Sequence, residues 1–259
     1  MSIETEIAAA LALAPVLADE AGSIIRRHFR GRIEVIDKAD ASPVTIADRD
    51  SEAAMRRLIA QRFPHHGIVG EEHGADRPDA EFVWVIDPID GTKSFISGVP
   101  LFGTLIGLLH QGRPVLGVLD QPVSRERWIG ATGHPTIFNG APARVRACPS
   151  LDRATLFSTS PDMFKGADAE GFARIRDAVK LVRYGADCYA YGLLALGFVD
   201  LVVEASLKLH DFCALVPIIE GAGGIVTGWR GEAPGADTNG RILACGDRAL
   251  HAAAVQMLG

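Results

Sequence analysis

Residues 84–95 read WVIDPIDGTKSF, and the rest of the chain is organised around this stretch. The apolar run at 82–86 predicts a buried strand that delivers two carboxylates, Asp87 and Asp90, into a turn. Burying two unpaired acids there would cost several kcal/mol. A hard divalent cation, by contrast, binds to carboxylate and carbonyl oxygens. The stretch therefore predicts a strand that ends at a metal site.

The residues after the acids favour the same interpretation. Gly91 lets the backbone approach a ligand closely, and Gly91 and Thr92 supply N–H groups and a hydroxyl of the kind that hold a phosphate. An ordinary solvated acidic turn is the alternative, and it would be favoured for a bare DxxD spacing. For DPIDGT after a hydrophobic strand, the ligand site is favoured.

Composition bounds the class of protein. The chain has 259 residues, of which 48% are hydrophobic and 22% charged, so it can bury a full-sized core. A net charge of −6 disfavours nucleic acid or an anionic membrane as partner, and an anionic substrate would need bound cations. The four cysteines form no CxxC pair and are expected to be buried free thiols. The N-terminus lacks a basic n-region, so a cytoplasmic location is expected.

The first part of the chain, residues 1–149, is predicted to be an α+β lobe that carries the metal and phosphate motifs. A helix is expected over 3–29, kinked or split at Pro15, and residues 42–48 are expected to be a turn that enters a second helix. His65 and His66 follow Pro64 and are expected on an exposed turn. A largely antiparallel sheet follows, interrupted by a mobile polar loop at 74–80.

Residues 150–259 are predicted to form a second, α/β lobe that completes the site. Strand-like and helix-like segments alternate there, which indicates another sheet with helices on its faces. One of the expected helices spans 212–221.

Further acids stand at the ends of predicted elements. Glu71 follows a short strand much as Asp87 does, so neighbouring strands could bring the two together. Asp211 and Asp48 stand where helices begin, and an acid there is most often only an N-cap. For Glu71, the residues alone leave the choice for or against a place in the metal site about even. For Asp211 and Asp48 they favour capping.

The motifs resemble those of the inositol monophosphatase-like family of metal-dependent phosphatases. They are GEE at 70–72, DPIDGT at 87–92, HDFCA at 210–214 and EGAGG at 220–224, in an order and spacing that cover nearly the whole chain. The resemblance implies a layered α-β-α-β-α architecture of the α+β and α/β class. The third motif is usually written WDxxA, and His210 stands here in place of Trp, a departure expected to leave the ligand unaffected.

The resemblance also implies roles for single residues. It implies two or three Mg²⁺ ions, held by Glu71, Asp87, the Ile89 carbonyl, Asp90 and Asp211. Glu71 and Thr92 would position the attacking water, Asp48 would orient the Thr92 hydroxyl, and the Gly91 and Thr92 amides would hold phosphate oxygens.

Finer details resemble the histidinol-phosphatase branch of the family, since typical inositol monophosphatases read DPIDGTTNF where this chain has Lys93 and Ser94. By resemblance, the leaving-group side is lined by Gly185, Ala186, Asp187 and Glu204. Two carboxylates there would favour the ammonium and imidazole of histidinol phosphate. The ordinary alternatives are a helix N-cap for Asp187 and a solvated charge at a strand end for Glu204. For Glu204 we favour substrate contact over that alternative.

These points predict a Mg²⁺-dependent phosphomonoesterase that hydrolyses L-histidinol phosphate, a small-molecule phosphate ester. The nearest alternative is the same chemistry on inositol 1-phosphate or another sugar phosphate, and nucleotide substrates are less favoured. A non-catalytic metal- or phosphate-binding regulator is a further alternative, against which the complete set of acids argues. The resemblance implies a homodimer.

Overall fold

A computed structural model describes residues 3–31, 35–37 and 43–259 of the chain. Its helices are α1 (Ile3–His28), α2 (Ile46–Arg62), α3 (Thr92–Ile96), α4 (Ala167–Ala178), α5 (Tyr189–Ala195), α6 (Leu209–Phe212), α7 (Leu215–Gly221) and α8 (Arg248–Leu258). Its strands are β1 (Val35–Asp37), β2 (Pro43–Thr45), β3 (Gly67–Gly70), β4 (Gly74–Asp76), β5 (Phe82–Asp90), β6 (Gly103–His110), β7 (Arg113–Gln121), β8 (Glu126–Ala131), β9 (Ile137–Phe138), β10 (Ala141–Pro142), β11 (Thr155–Ser158), β12 (Leu181–Tyr184), β13 (Leu201–Glu204), β14 (Ile225–Thr227) and β15 (Ile242–Cys245).

The strands form a large sheet, a small sheet and a separate antiparallel pair of β1 with β2. The large sheet has the order β10-β9-β8-β7-β6-β5-β3-β4, and the small sheet has the order β12-β11-β13-β15-β14. Pairing in the large sheet is antiparallel apart from β3 with β5, among the strands that the structure describes. The expectation of a largely antiparallel first sheet is confirmed.

Helices and sheets alternate through the molecule. On the outer face of the large sheet, α1 and α2 bury residues such as Leu17, Ile25 and Met55 against Trp84 and Ile106. Between the sheets, α5 and α7 pack against side chains of both, and α4 and α8 cover the far face of the small sheet. The layered α-β-α-β-α architecture implied by the resemblance is confirmed. The boundary between residues 149 and 150 remains a prediction. Helices α5 and α7, which follow that boundary in the chain, share one core with the large sheet.

The helix α1 runs through Pro15 without a break, so of the two expectations at Pro15 the split is wrong and the kink stays a prediction. A proline inside a helix removes one N–H bond and costs about 3 kcal/mol or more. The buried face of α1, which includes Ala14, Leu17 and Ala18, offsets that cost. By length and composition α1 could cross a membrane, yet this face lies in the core that it shares with the large sheet.

Other local expectations also change. Residues 43–45 form a strand paired with β1 rather than a turn, while Ser42 lies outside the described residues. Part of the supposed mobile loop, Gly74–Asp76, is a strand that pairs with β3. The helix expected over 212–221 is interrupted between α6 and α7. All four cysteines are buried and free, as expected.

The expectation of an exposed turn holds for His65, but it is wrong for His66, which is 5% exposed. The indole Nε1–H of Trp84 donates to His66 Nδ1 at 3.1 Å. Since that nitrogen accepts, His66 Nε2 carries the proton and donates to Glu6 Oε1 at 2.8 Å. Burial lowers the pKa of this imidazole. Through these two hydrogen bonds His66 connects Glu6 at the start of α1 with Trp84 in the large sheet.

Candidate active site

Strand register brings Glu71 and Asp87 together. Strands β3 and β5 run parallel with Gly70 opposite Ile86, and the N–H of Glu71 donates to the Ile86 carbonyl at 3.3 Å. The residues that follow this pair, Glu71 and Asp87, therefore emerge at the same edge of the sheet. This is the arrangement that their similar positions after apolar strands predicted.

The two acids of the central motif lie on a β-bulge rather than in a turn beyond the strand. Strand β5 continues to Asp90, and its register against β6 shifts between Asp87 and Asp90. Asp87 Oδ1 accepts the N–H of Ile89 at 3.0 Å, and Thr104 Oγ1 donates to the Pro88 carbonyl at 2.8 Å. Bulges of this kind often re-aim side chains next to active sites.

Asp211 joins the same cluster from the other half of the chain. Its Oδ2 accepts the N–H of Lys208 at 2.7 Å, so Asp211 is not the N-cap considered for it but the third residue of α6, which completes a capping box with the N-cap Lys208. Yet oxygen atoms of Asp87, Asp90 and Asp211 also lie within 4.8 Å of one another. Asp211 therefore helps to cap α6 and faces the carboxylates of β5.

The electrostatics of the cluster fit a divalent cation. Burial, followed by the charges of Glu71, Asp90 and Asp211, raises the pKa of Asp87 well above its ordinary value. Burial and the charges of Asp187 and Asp211 do the same to the pKa of Asp90. Carboxylates crowded in this way repel one another, and a hard cation that takes oxygen ligands would relieve the repulsion. The donor set therefore fits a metal.

Helix α5 supports one of these acids. The N–H of Cys188, just before α5, donates to Asp90 Oδ2 at 2.7 Å. This bond holds the Asp90 carboxylate and connects α5 with β5.

Gly91 and Thr92 follow the bulge and begin α3. Gly91 has φ +89°, a conformation that strains any other residue, and a Cβ there would also approach the Asp187 carboxylate to 3.1 Å. The Thr92 hydroxyl donates to the Ile89 carbonyl at 3.1 Å.

Asp48 is held at the start of α2. Its Oδ2 accepts the N–H and the hydroxyl of Thr45 at 2.8 and 2.5 Å, in a capping box where Thr45 is the N-cap. The Thr92 hydroxyl bonds elsewhere, so the orienting role of Asp48 stays a prediction. Its other oxygen is buried and has no hydrogen-bond partner among the described residues.

The four residues expected on the leaving-group side divide into a loop and a strand end. Gly185 has φ +83°, its N–H donates to the carbonyls of Ser158 and Thr159 at 3.2 and 3.0 Å, and Ala186 is buried. Asp187, which has φ +44° and precedes α5, accepts the Ser94 hydroxyl at 3.3 Å. Burial raises the pKa of Asp187 to about 6, although the Ser94 bond and the Lys93 charge oppose the shift.

Glu204 ends β13 and is 1% exposed, which rules out a solvated edge charge. Its Oε1 accepts the N–H and the hydroxyl of Thr159 at 2.8 and 3.1 Å. Within the described part of the chain, its Oε2 is buried without a partner. Burial, together with the charges of Asp187 and Asp211, raises the pKa of Glu204 to about 8.

Sequence reasoning overlooked Glu52. This fully buried acid of α2 accepts the N–H groups of Glu72 and His73 at 2.7 and 3.0 Å and forms an ion pair with Arg56 at 2.7 Å. A Cβ on Gly70 would lie 2.1 Å from its carboxylate, so glycine makes room for it. The signal was available in the sequence, because Glu52 is one turn after Asp48 on the face that carries Met55.

Sequence reasoning noted His210 but did not count it among the ligands; its side chain is 11% exposed. An imidazole nitrogen of His210 and oxygens of Glu71 and Asp87 lie within 4.8 Å of one another. The departure from the usual motif was expected to leave the ligands unaffected. In the structure it puts a nitrogen donor beside two of them.

The family model of the inositol monophosphatase family matches residues 7–258. The chain belongs to this family. It is 48% identical over 98% of its length to a bifunctional phosphatase IMPL2, chloroplastic, of Arabidopsis thaliana, of which 76% is covered. It is 36% identical to a histidinol-phosphatase of Mycobacterium tuberculosis, over 86% of this chain and 88% of that one. A solved inositol monophosphatase structure from Zymomonas mobilis is 47% identical, with a TM-score of 0.90, over 100% of this chain and 99% of that one.

These matches give the acidic cluster a chemical context. The chain is a phosphatase of the inositol monophosphatase family, whose members depend on metal ions, and its clustered acids are groups that could bind them. The resemblance inferred from the motifs is confirmed at the level of the family.

Proposed function

We propose that the protein is a Mg²⁺-dependent phosphomonoesterase that hydrolyses L-histidinol phosphate to L-histidinol and phosphate. The observation that carries the choice of substrate is the acidic leaving-group side. Asp187 and Glu204 act on each other electrostatically. Glu204 accepts the N–H of Thr159, and the Thr159 carbonyl accepts the N–H of Gly185, two residues before Asp187. A cationic leaving group would be attracted there.

The metal ions would be held by Glu71, Asp87, the Ile89 carbonyl, Asp90 and Asp211. Bound divalent ions would neutralise the phosphate and lower the pKa of a water molecule. Support for two or three sites comes from the two ligand groups, one with Glu71 and one with Asp90 and Asp211, that share Asp87.

The protein's own groups would position the reactants. The Gly91 and Thr92 amides at the start of α3 would bind phosphate oxygens, and Glu71 with the Thr92 hydroxyl would hold the attacking water. For that, the Thr92 hydroxyl must turn away from the Ile89 carbonyl, to which it donates at 3.1 Å, and Asp48 would then accept a hydrogen bond from the hydroxyl and orient it. The unpartnered buried oxygen of Asp48 supports this role.

The residues that mark the histidinol-phosphatase branch also support the substrate. Ser94 stands where typical inositol monophosphatases have another residue, and its hydroxyl bonds to Asp187. The branch-marking segment and the acidic side are thus in contact. Relatives named histidinol-phosphatase, including the one from M. tuberculosis, agree with this choice.

Inositol 1-phosphate is the second candidate. The Z. mobilis protein, 47% identical, is named an inositol monophosphatase, and the A. thaliana relative is named bifunctional. A neutral polyol offers no positive charge that would stabilise the ionised forms of Asp187 and Glu204, which is why we rank it second.

The test is Mg²⁺-dependent phosphate release from L-histidinol phosphate and inositol 1-phosphate, with kcat/KM for each. We expect a strong preference for histidinol phosphate that Glu204→Gln reduces, while Glu170→Gln, an exposed control on α4, keeps it. Preference for inositol phosphate would leave the chemistry and overturn the substrate. No release from either, with metal bound, would favour a non-catalytic regulator.

We also propose a cytoplasmic homodimer. The A. thaliana relative is named chloroplastic, so location is open to direct test by localisation of the tagged protein in its own cell. Sedimentation measures the oligomeric state.

A further inference from the structure

His210 brings an imidazole to a cluster that is otherwise made of carboxylates. It is the second residue of α6 and immediately precedes Asp211. Two groups of candidate ligand atoms exist among the described residues, each within 4.8 Å: Glu71, Asp87 and His210 form one, and Asp87, Asp90 and Asp211 form the other. The groups share Asp87, and they differ in chemistry because only the first contains nitrogen.

We propose that His210 is a metal ligand and that the two groups form unlike subsites. The all-oxygen subsite binds Mg²⁺, and the mixed subsite of Glu71, Asp87 and His210 binds an ion of borderline softness, Zn²⁺, for which Mn²⁺ loaded into both subsites serves as the spectroscopic probe. The inference rests on the proposed function, because both subsites belong to the same metal cluster. It adds a ligand and a second kind of metal to that function.

Donor chemistry separates the subsites. Mg²⁺ takes oxygen ligands in a near-ideal octahedron and retains several waters, whereas imidazole is a favoured ligand of Zn²⁺. Asp87 is the carboxylate common to both groups, so it would be the ligand that the two subsites share. An imidazole also adds a donor without adding another negative charge to a crowded cluster.

An ordinary alternative exists within α6 itself. His210 Nε2 lies 3.4 Å from Asp211 Oδ1, so His210 could serve only as an ion-pair partner of that carboxylate. In that case the imidazole would stay off the metal, and transition-metal affinity would not depend on it. The two possibilities predict different spectra for the metal-loaded protein.

The decisive measurement is pulsed electron paramagnetic resonance of the full-length protein loaded with Mn²⁺. We expect ¹⁴N modulation from a directly bound imidazole in the wild type and its loss in His210→Phe. His65→Phe is the matched control, because His65 is an exposed histidine in the turn after α2 and belongs to neither ligand group. That variant should keep the modulation. Bound Mn²⁺ without ¹⁴N modulation in the wild type overturns the proposal, whatever the variants do.

Calorimetric titration gives a second readout. Losing an outer partner of a metal ligand typically weakens binding about 10–100-fold, so losing the ligand should weaken Zn²⁺ and Mn²⁺ binding by at least about tenfold. Mg²⁺ affinity should change less than about threefold, since Mg²⁺ uses the oxygen ligands. Equal weakening of all three ions in both His210→Phe and His210→Gln would assign His210 a structural role. If the wild type binds none of these ions, the proposed metal-dependent function fails instead.

Discussion

The Glu52 carboxylate of α2 accepts the backbone N–H of Glu72 at 2.7 Å, directly beside the candidate metal ligand Glu71. Its other oxygen accepts the N–H of His73 at 3.0 Å and pairs with Arg56, whose guanidinium also donates to the Gly74 carbonyl. Glu52 and Arg56 thus stabilise the β3–β4 turn through hydrogen bonds to its backbone. We expect the direction in which Glu71 points to depend on this support.

Glu52→Gln should therefore weaken metal binding without removing a ligand. Glutamine has one oxygen acceptor and one NH₂ group, so it cannot accept both N–H bonds, and Arg56 loses its ion pair. We expect metal affinity to fall about 10–100-fold, as for other residues that support ligands. Calorimetry measures this.

A double-mutant cycle with Glu71→Gln separates positioning from simple loss of stability. If Glu52 acts through Glu71, its replacement should have little further effect once Glu71 is changed. Met55→Leu, on the buried face of the same helix, should leave metal affinity unchanged. Fully additive losses of affinity would assign Glu52 to general folding.

Asp90→Asn should abolish metal-dependent turnover and yet not destabilise the metal-free protein. Burial and the charges of Asp187 and Asp211 disfavour the ionised form of Asp90, and asparagine can still accept the Cys188 N–H. Melting in the presence of a chelator should give a Tm equal to or above that of the wild type. Added Mg²⁺ should then raise the wild-type Tm more than that of the variant.

Asp177→Asn is the matched control for this change. Asp177 lies on the surface in an ion pair with Arg176, so its replacement should alter neither turnover nor the stabilisation by Mg²⁺. A folded Asp90→Asn protein with full activity would remove Asp90 from the ligand set.

Much of the fold could be predicted because local pattern and global packing agree. The apolar run before Asp87 predicts a buried strand whatever its tertiary partners are. The similar run before Glu71 predicts a second strand, which could lie beside the first. The bulge at Asp87–Asp90 could not be predicted, because it arises from the pairing of β5 with β6, a tertiary relationship. Proline and polar residues at 87–90 indicate a turn when they are considered alone.

The candidate site was predicted unevenly for a related reason. Acids in motifs stand out in a sequence, whereas Glu52 and His66 are polar residues whose role depends on distant partners. His66 becomes buried because Trp84 and Glu6 satisfy its two nitrogens. His210 was not counted as a ligand because comparison with the usual motif draws attention to the missing Trp. Only the structure shows that the imidazole lies within 4.8 Å of ligand atoms of Glu71 and Asp87.

Removing the Thr92 hydroxyl should lower kcat more than it raises KM. Thr92→Val keeps the shape and the backbone N–H that would bind phosphate, and it removes the group proposed to position water. Positioned proton transfer typically contributes about 10²–10⁴-fold, which sets the expected loss of kcat. Thr92→Ser keeps the hydroxyl and should retain most activity. Steady-state kinetics that show only a KM effect in Thr92→Val would contradict the assignment.

Glu204→Gln should remove a pH dependence from the stability of the metal-free protein. Burial raises the pKa of Glu204 from 4.5 to about 8, so the folded state keeps a proton that the unfolded chain releases. The stabilisation is therefore complete below pH 4.5 and is lost as the pH rises toward about 8, at up to about 1.4 kcal/mol per pH unit. In chelator, between about pH 5 and 8, the free energy of unfolding of Glu204→Gln should fall less steeply than that of the wild type. The exposed control Glu170→Gln should follow the wild-type slope, and a Glu204→Gln curve parallel to the wild type would show that Glu204 is already ionised in its buried position.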